Sequence, residues 1–285
     1  MESRPAPINP LAKHFRTPSI YIKLPSGGSF WKEESLLLPV NGEIPILPMT
    51  TKDEIVLKTP DALMNGQGVV NAIESCCPSI KNAWDMPSID VDAVIIAIRI
   101  ASYGASMDFS STCPHCSTSS DYAIDLTYVL AGTIAPDYTK MVEIDGLKIK
   151  LKPQNYQALT AANTVSFKEQ QILRTLSAIN EDNKEESQLI FEQHLSQLID
   201  LNIGTLTGST DFIELEDSGR VSNPDFISEF YKNCDAKIIK KIQTQLQEFN
   251  EVGKLKPVTV QCDECTKEFD VSIEFEWSSF FANGS

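Results

Sequence analysis

Apolar residues recur at helical spacing in some stretches of this chain and alternate with polar ones in others, and the switches between the two patterns divide it. Between residues 89 and 103, Val91, Val94, Ile95, Ile98 and Ser102 share one helical face, and Ile96 and Ile100 add a second apolar side. This is predicted to be a central buried helix, capped near Ser88 or Asp90 and stopped by Gly104. Arg99 is its only basic residue and is expected to pair with a buried carboxylate or to face a partner. Upstream, residues 20–24 and 30–38 flank Pro25, Ser26, Gly27 and Gly28, which reads as a hairpin around a glycine turn. Asn41 and Gly42 mark another turn, followed by an extended run over 44–49. Thr51 and Glu54 carry the capping-box spacing for a short helix to about residue 58. Pro60 opens a second helix, Asn65 and Gly66 break it, and residues 69–76 make a third.

Downstream, residues 122–129 read as a strand and residues 141–151 as a hairpin across Asp145 and Gly146. The pattern then turns helical, with amphipathic stretches over 157–175 and 184–202 and a polar loop over 201–222. Asn223 and Pro224 open what reads as the longest helix, to about residue 252. Its stripe is Phe226, Phe230, Cys234, Ile238, Ile242, Leu246 and Phe249. Short strands follow over 258–261 and 269–275, then an aromatic tail containing Trp277, Phe280 and Phe281.

Cysteine placement adds the chemistry. Cys113-Pro-His-Cys116 and Cys262-Asp-Glu-Cys265 each precede a strand-like run, and a fixed offset of 149 residues superposes them. The same offset pairs Asp121 with Asp270, Ile124 with Ile273, Asp125 with Glu274 and Leu126 with Phe275. Each pair puts two sulfurs on one tight turn, and two facing turns supply the four thiolates of a closed, structural Zn²⁺ site. Cys113, Cys116, Cys262 and Cys265 are therefore the expected metal ligands of one zinc ribbon built from two distant pieces. His115 lies inside the first turn and is expected to point outward. Cys76, Cys77 and Cys234 read as packing residues.

Charge narrows the function classes. The 285 residues carry 24 basic and 39 acidic side chains, a formal charge of −15, which argues against direct nucleic-acid binding. No apolar run is long enough for a membrane-spanning helix, and the first residues lack the apolar core of a secretory signal. Seven cysteines, four of them in close pairs, fit a reducing compartment and bound metal better than disulfides. No nucleophile elbow, zinc-protease or dinucleotide motif is present, and the three histidines are scattered, so no catalytic residues are assigned. The fold class is thus α+β: a mixed strand and helix N-terminal core, a zinc ribbon from two distant turns, and a helical insertion between them. The expected division is an extended arm over 1–19, a core over 20–110, a split ribbon with hairpins over 111–152 and 254–276, a helical insertion over 153–253, and an aromatic tail over 277–285.

Four segments resemble one known family: Leu24-Pro-Ser-Gly-Gly28, Leu47-Pro-Met-Thr-Thr-Lys-Asp-Glu54, Lys58-Thr-Pro-Asp-Ala-Leu63 and Ala97-Ile-Arg-Ile-Ala-Ser-Tyr-Gly104, with Cys113 to Cys116 following in place. The chain resembles the T-even-type bacteriophage baseplate proteins over about residues 20–130. The resemblance implies a late structural protein of the contractile tail, at the hub or hub–wedge junction, that scaffolds neighbours during virion assembly. Its partners would be other hub or wedge proteins, with no small-molecule substrate and no enzymatic activity. It would assemble in the host cytoplasm and reside in the tail baseplate. Two alternatives share these features: a transient assembly chaperone absent from the virion, and a zinc-ribbon adaptor in transcription or replication.

Overall fold

The computed structural model describes residues 9–59, 66–163, 198–272 and 280. The predicted helix opened by Pro60, most of the stretches at 157–175 and 184–202, and the tail residues Trp277 and Phe281 lie outside them. Among the described residues, ten strands form three two-stranded antiparallel sheets and one four-stranded antiparallel sheet, with helices packed against them.

The first core surrounds the predicted central helix, here α3 (Ser88–Tyr103), in which every residue from Ala93 to Ile100 is buried. A helix apolar on all sides has to be enclosed on all sides. It is enclosed by β1 (Ile20–Lys23), β2 (Glu43–Ile46), α1 (Thr51–Leu57) and α2 (Gln67–Cys76). The N-cap is Pro87, one position before the expected residues, and Gly104 ends the helix at φ +91°. Gly66, at φ +75°, starts α2 where a Cβ would stand 2.9 Å from Thr160 Cγ2, so both its conformation and its lack of a side chain are required. Cys76 and Cys77 are fully buried at the end of α2, as the sequence suggests.

Several expectations fail in informative ways. Residues 20–24 do not pair with 30–38; β1 pairs instead with β2, Ile22 opposite Ile44. The intervening chain is a wide loop whose anchor is Asp90. This carboxylate, fully buried at the start of α3, accepts from the Ser26 amide (2.8 Å), the Ser26 hydroxyl (2.6 Å) and the Trp31 indole N–H (2.9 Å). Such non-local polar anchors leave no trace in periodicity. The capping box of α1 is formed by Thr50 with Asp53, one residue earlier than Thr51 with Glu54. The strand expected over 122–129 stops at Asp125, whose carboxylate accepts from the Thr127 amide and turns the chain into α4 (Leu126–Ala131).

The second core lies under the four-stranded sheet, ordered β5 (Met141–Ile144), β6 (Leu147–Leu151), β7 (Thr210–Glu214) and β8 (Arg220–Val221). Residues 201–222, expected to be a loop, are helical to 208 and then supply β7 and β8. Strands of five and two residues are too short to stand out from a polar background. The predicted long helix is two helices, α5 (Pro224–Asn233) and α6 (Ala236–Gly253). The break falls at Cys234 and Asp235, where Asp235 caps α6 by accepting from the Lys237 amide. Cys234 still packs on this core, but Phe226 is exposed.

Among the described residues no carboxylate forms an ion pair with Arg99. It is 2% exposed, and its Nε and Nη1 donate to no acceptor among the described residues. Its guanidinium sits 5.4 Å from the Tyr103 ring and 5.3 Å from the Phe280 ring, so two aromatic faces cover it. Burial pulls its pKa below the ordinary arginine value. Arg99→Met should therefore raise stability by about 1–2 kcal/mol in urea unfolding, because a desolvated charge with two nitrogens lacking an acceptor among the described residues gives way to a thioether of similar reach. Destabilisation would show that the cation–π pairs outweigh the desolvation cost.

Candidate metal centre

The first half of the site is the hairpin of β3 (Ser106–Thr112) and β4 (Ser119–Asp125), with Cys113 and Cys116 in its connecting turn. The second is the hairpin of β9 (Val258–Gln261) and β10 (Glu268–Val271), with Cys262 and Cys265 in the equivalent turn. The two turns share one hydrogen-bond plan. The Cys113 amide donates to Thr118 O and the Cys262 amide to Lys267 O, while Ser117 N and Thr266 N donate back to the respective cysteine carbonyls. Ser117 (φ +61°) and Thr266 (φ +58°) occupy the same left-handed position in each turn. Thr112 opposite Ser119 and Gln261 opposite Glu268 flank the turns in matching register. Even the cross-strand side-chain bonds correspond: Ser110 hydroxyl to Asp121, and Thr259 hydroxyl to Asp270. The 149-residue offset seen in the sequence thus describes two copies of one local structure.

The hairpins face each other and bring all four sulfurs together. Cys113 Sγ lies 3.7 Å from Cys265 Sγ, Cys116 Sγ lies 3.6 Å from Cys262 Sγ, and all four are within 4.8 Å of one another. These separations are too long for disulfides, whose sulfurs sit about 2.05 Å apart. A tetrahedral ion with metal–sulfur bonds of about 2.3 Å requires sulfur–sulfur edges of about 3.8 Å, close to the two shortest separations, so the four donors could hold a divalent metal. Cys113 and Cys262 are fully buried, whereas Cys116 is exposed and Cys265 half-buried. Tyr122 and Phe269 meet edge to face at 5.7 Å, closing the seam between the hairpins.

The sulfurs are electrostatically unequal. Hydrogen bonds from the Thr118 side chain and backbone draw the Cys116 thiol down to about 6. Cys265 rises to about 11: the Lys267 amide lowers it, but desolvation and the neighbouring sulfurs outweigh that pull. Adjacent sulfurs resist holding several negative charges at once, and a divalent cation supplies the missing positive charge. His115 is exposed and outside the sulfur cluster, with only its backbone amide donating to Cys113 Sγ (3.4 Å).

The molecule is an α+β scaffold in which four cysteines from its middle and its C-terminal region come together in one cluster that could hold a metal ion, the one such donor cluster among the described residues. The family model described as T4 bacteriophage base plate protein matches residues 17–282, and the chain belongs to that family. The match extends past the first cysteine pair to include the helical region and the second pair. Neither curated proteins nor solved structures gave a match. Membership makes the chain a baseplate protein of a T4-type phage tail, with other baseplate proteins as its partners, and points to a structural rather than a catalytic role. Among the described residues, no helix is long and apolar enough to cross a membrane.

Proposed function

We propose that the protein is a structural component of the baseplate hub or hub–wedge junction and scaffolds neighbouring subunits while the tail assembles in the host cytoplasm. Structural Zn²⁺ is held by Cys113, Cys116, Cys262 and Cys265, and it fixes the C-terminal hairpin to the middle of the chain. The observation that carries this reading is the convergence of four sulfurs from turns 149 residues apart in sequence. The domain division is proposed as above, except that the hairpin over 141–151 goes with the region 153–253, whose β7 and β8 complete its sheet, and the ribbon is a clamp between the core and the C-terminal region.

Docking is assigned to the N-terminal arm over residues 5–16 and to the tail over 277–281. The arm has the right construction. Arg16 pins its base, donating to Pro48 O (2.8 Å), Ser75 O (2.8 Å) and the Ser75 hydroxyl (2.8 Å). Beyond this anchor, Leu11 and Phe15 are 64% and 61% exposed. Phe280, by contrast, is buried against Arg99, so within the tail it is not a free docking residue.

Two measurements test the reading together. Elemental analysis of purified protein should give one equivalent of zinc, and quantitative proteomics of finished tails should find the protein in fixed stoichiometry. Absence from finished tails would favour the transient chaperone, and a salt-sensitive DNA shift would favour the transcription or replication adaptor. Metal-free protein with an intact ribbon would remove the zinc assignment.

A further inference from the structure

We propose that the groove between β5 and α6 receives an extended acidic polypeptide strand from another protein, paired to the open edge of the four-stranded sheet. β5 is the edge strand, and among the described residues its only ladder partner is β6. The two-residue turn at Asp145 and Gly146 makes Ile144 and Leu147 the hydrogen-bonded closing pair. Alternation then puts Met141 and Glu143 in non-hydrogen-bonded positions, with their N–H and C=O groups directed away from β6. The Glu143 carbonyl confirms this direction, because it accepts from Lys241 Nζ at 2.5 Å across the groove.

The opposite wall is α6, which presents Lys237, Lys240 and Lys241 toward a groove of ≈ 620 Å³. Lys237, Lys241, Thr244 and Glu248 follow one helical stripe beside the strand. The twelve residues from Lys237 to Glu248 span about 16 Å, against about 13 Å for the four residues of β5, so the wall is long enough to flank the whole strand. Three lysines in five positions are unusual in a chain of net charge −15, and they select for carboxylates. Glu143 and Glu248 also line the groove, so the occupant's acidic positions belong beside the lysines and not at the Glu248 end.

Lys241 guards the edge from α6, since its ammonium occupies the Glu143 carbonyl and competes with indiscriminate pairing there. An incoming strand that donates to the Glu143 carbonyl releases this ammonium to meet a carboxylate, whereas an apolar strand would leave it unpaired. Main-chain pairing supplies affinity and the lysines supply choice of partner.

The test uses the full chain and a labelled hexapeptide, Thr-Glu-Val-Glu-Thr-Glu. Saturable binding is expected, with slowed exchange of the Met141 and Glu143 amides. The double variant Lys240→Glu, Lys241→Glu, both exposed residues, should weaken binding at least tenfold. A peptide with Lys in place of Glu should not bind. Equal binding by the reversed-charge peptide, or unchanged affinity in the double variant, would overturn the proposal. Tighter binding of oligothymidine without amide protection would reassign the groove to nucleic acid. Self-association lost in the double variant would reassign it to a second copy of this chain.

Discussion

Cys262→Ser is expected to release the metal and separate the two ribbon hairpins while leaving the two main cores folded. Cys262 is fully buried and lies 3.6 Å from Cys116 Sγ, so its loss removes one donor from the middle of the cluster. An isolated two-stranded hairpin is marginal in water, and β9–β10 has only four residues per strand. The scale follows from chain entropy: a cross-link closing a loop of more than about 100 residues constrains the unfolded chain by about 5 kcal/mol. Native-state hydrogen exchange should therefore lose several kcal/mol of protection over 106–125 and 258–271, and metal analysis should show less than one equivalent. Chelation of the wild-type protein should reproduce the effect, whereas His115→Ala should not. Unchanged protection in Cys262→Ser would mean that Tyr122, Phe269 and the strand contacts hold the ribbon without metal.

Asp90→Ala should destabilise the first core by about 3–5 kcal/mol, because it leaves the Ser26 amide, the Ser26 hydroxyl and the Trp31 indole N–H without their acceptor. The loss should appear in urea unfolding and in exchange of the loop over 25–31. The pH dependence has a definite sign. Burial raises the Asp90 pKa, and the bonds from Ser26 and Trp31 offset this only in part. A carboxyl raised on folding contributes stability that is complete below the unfolded value, about 3.9, and lost as pH rises through the folded value. Asp90→Asn should remove that segment of the profile. A wild-type profile in which this contribution grows with rising pH would show that hydrogen bonding, and not desolvation, governs the group.

The features legible in the sequence were those with a local or repeated signature. The apolar run of α3 announces its own burial, and Gly104 its end, because a helix without a polar face has nowhere else to go. The two cysteine turns were readable because one structure was written twice, down to the cross-strand bonds of Asp121 and Asp270. Pairings between distant strands were not readable. β1 could meet either of two later runs, and what decides is Asp90 holding residues 26–31 away. The α5–α6 break was hidden because Cys234 keeps its place against the core while Asp235 starts a new helix. The surroundings of Arg99 were not readable either: a buried cation normally needs an anion, and among the described residues the rings of Tyr103 and Phe280 cover it.

The split staple also sets an order of events during synthesis. Cys262 follows Cys113 by 149 positions, so at about 5–20 residues per second the second half of the centre leaves the ribosome roughly 7–30 s after the first. Until then Cys113 and Cys116 are a half-site that cannot close. A nascent chain can fold its first core early, whereas the two cysteine turns can meet only after Cys262 and Cys265 have been translated.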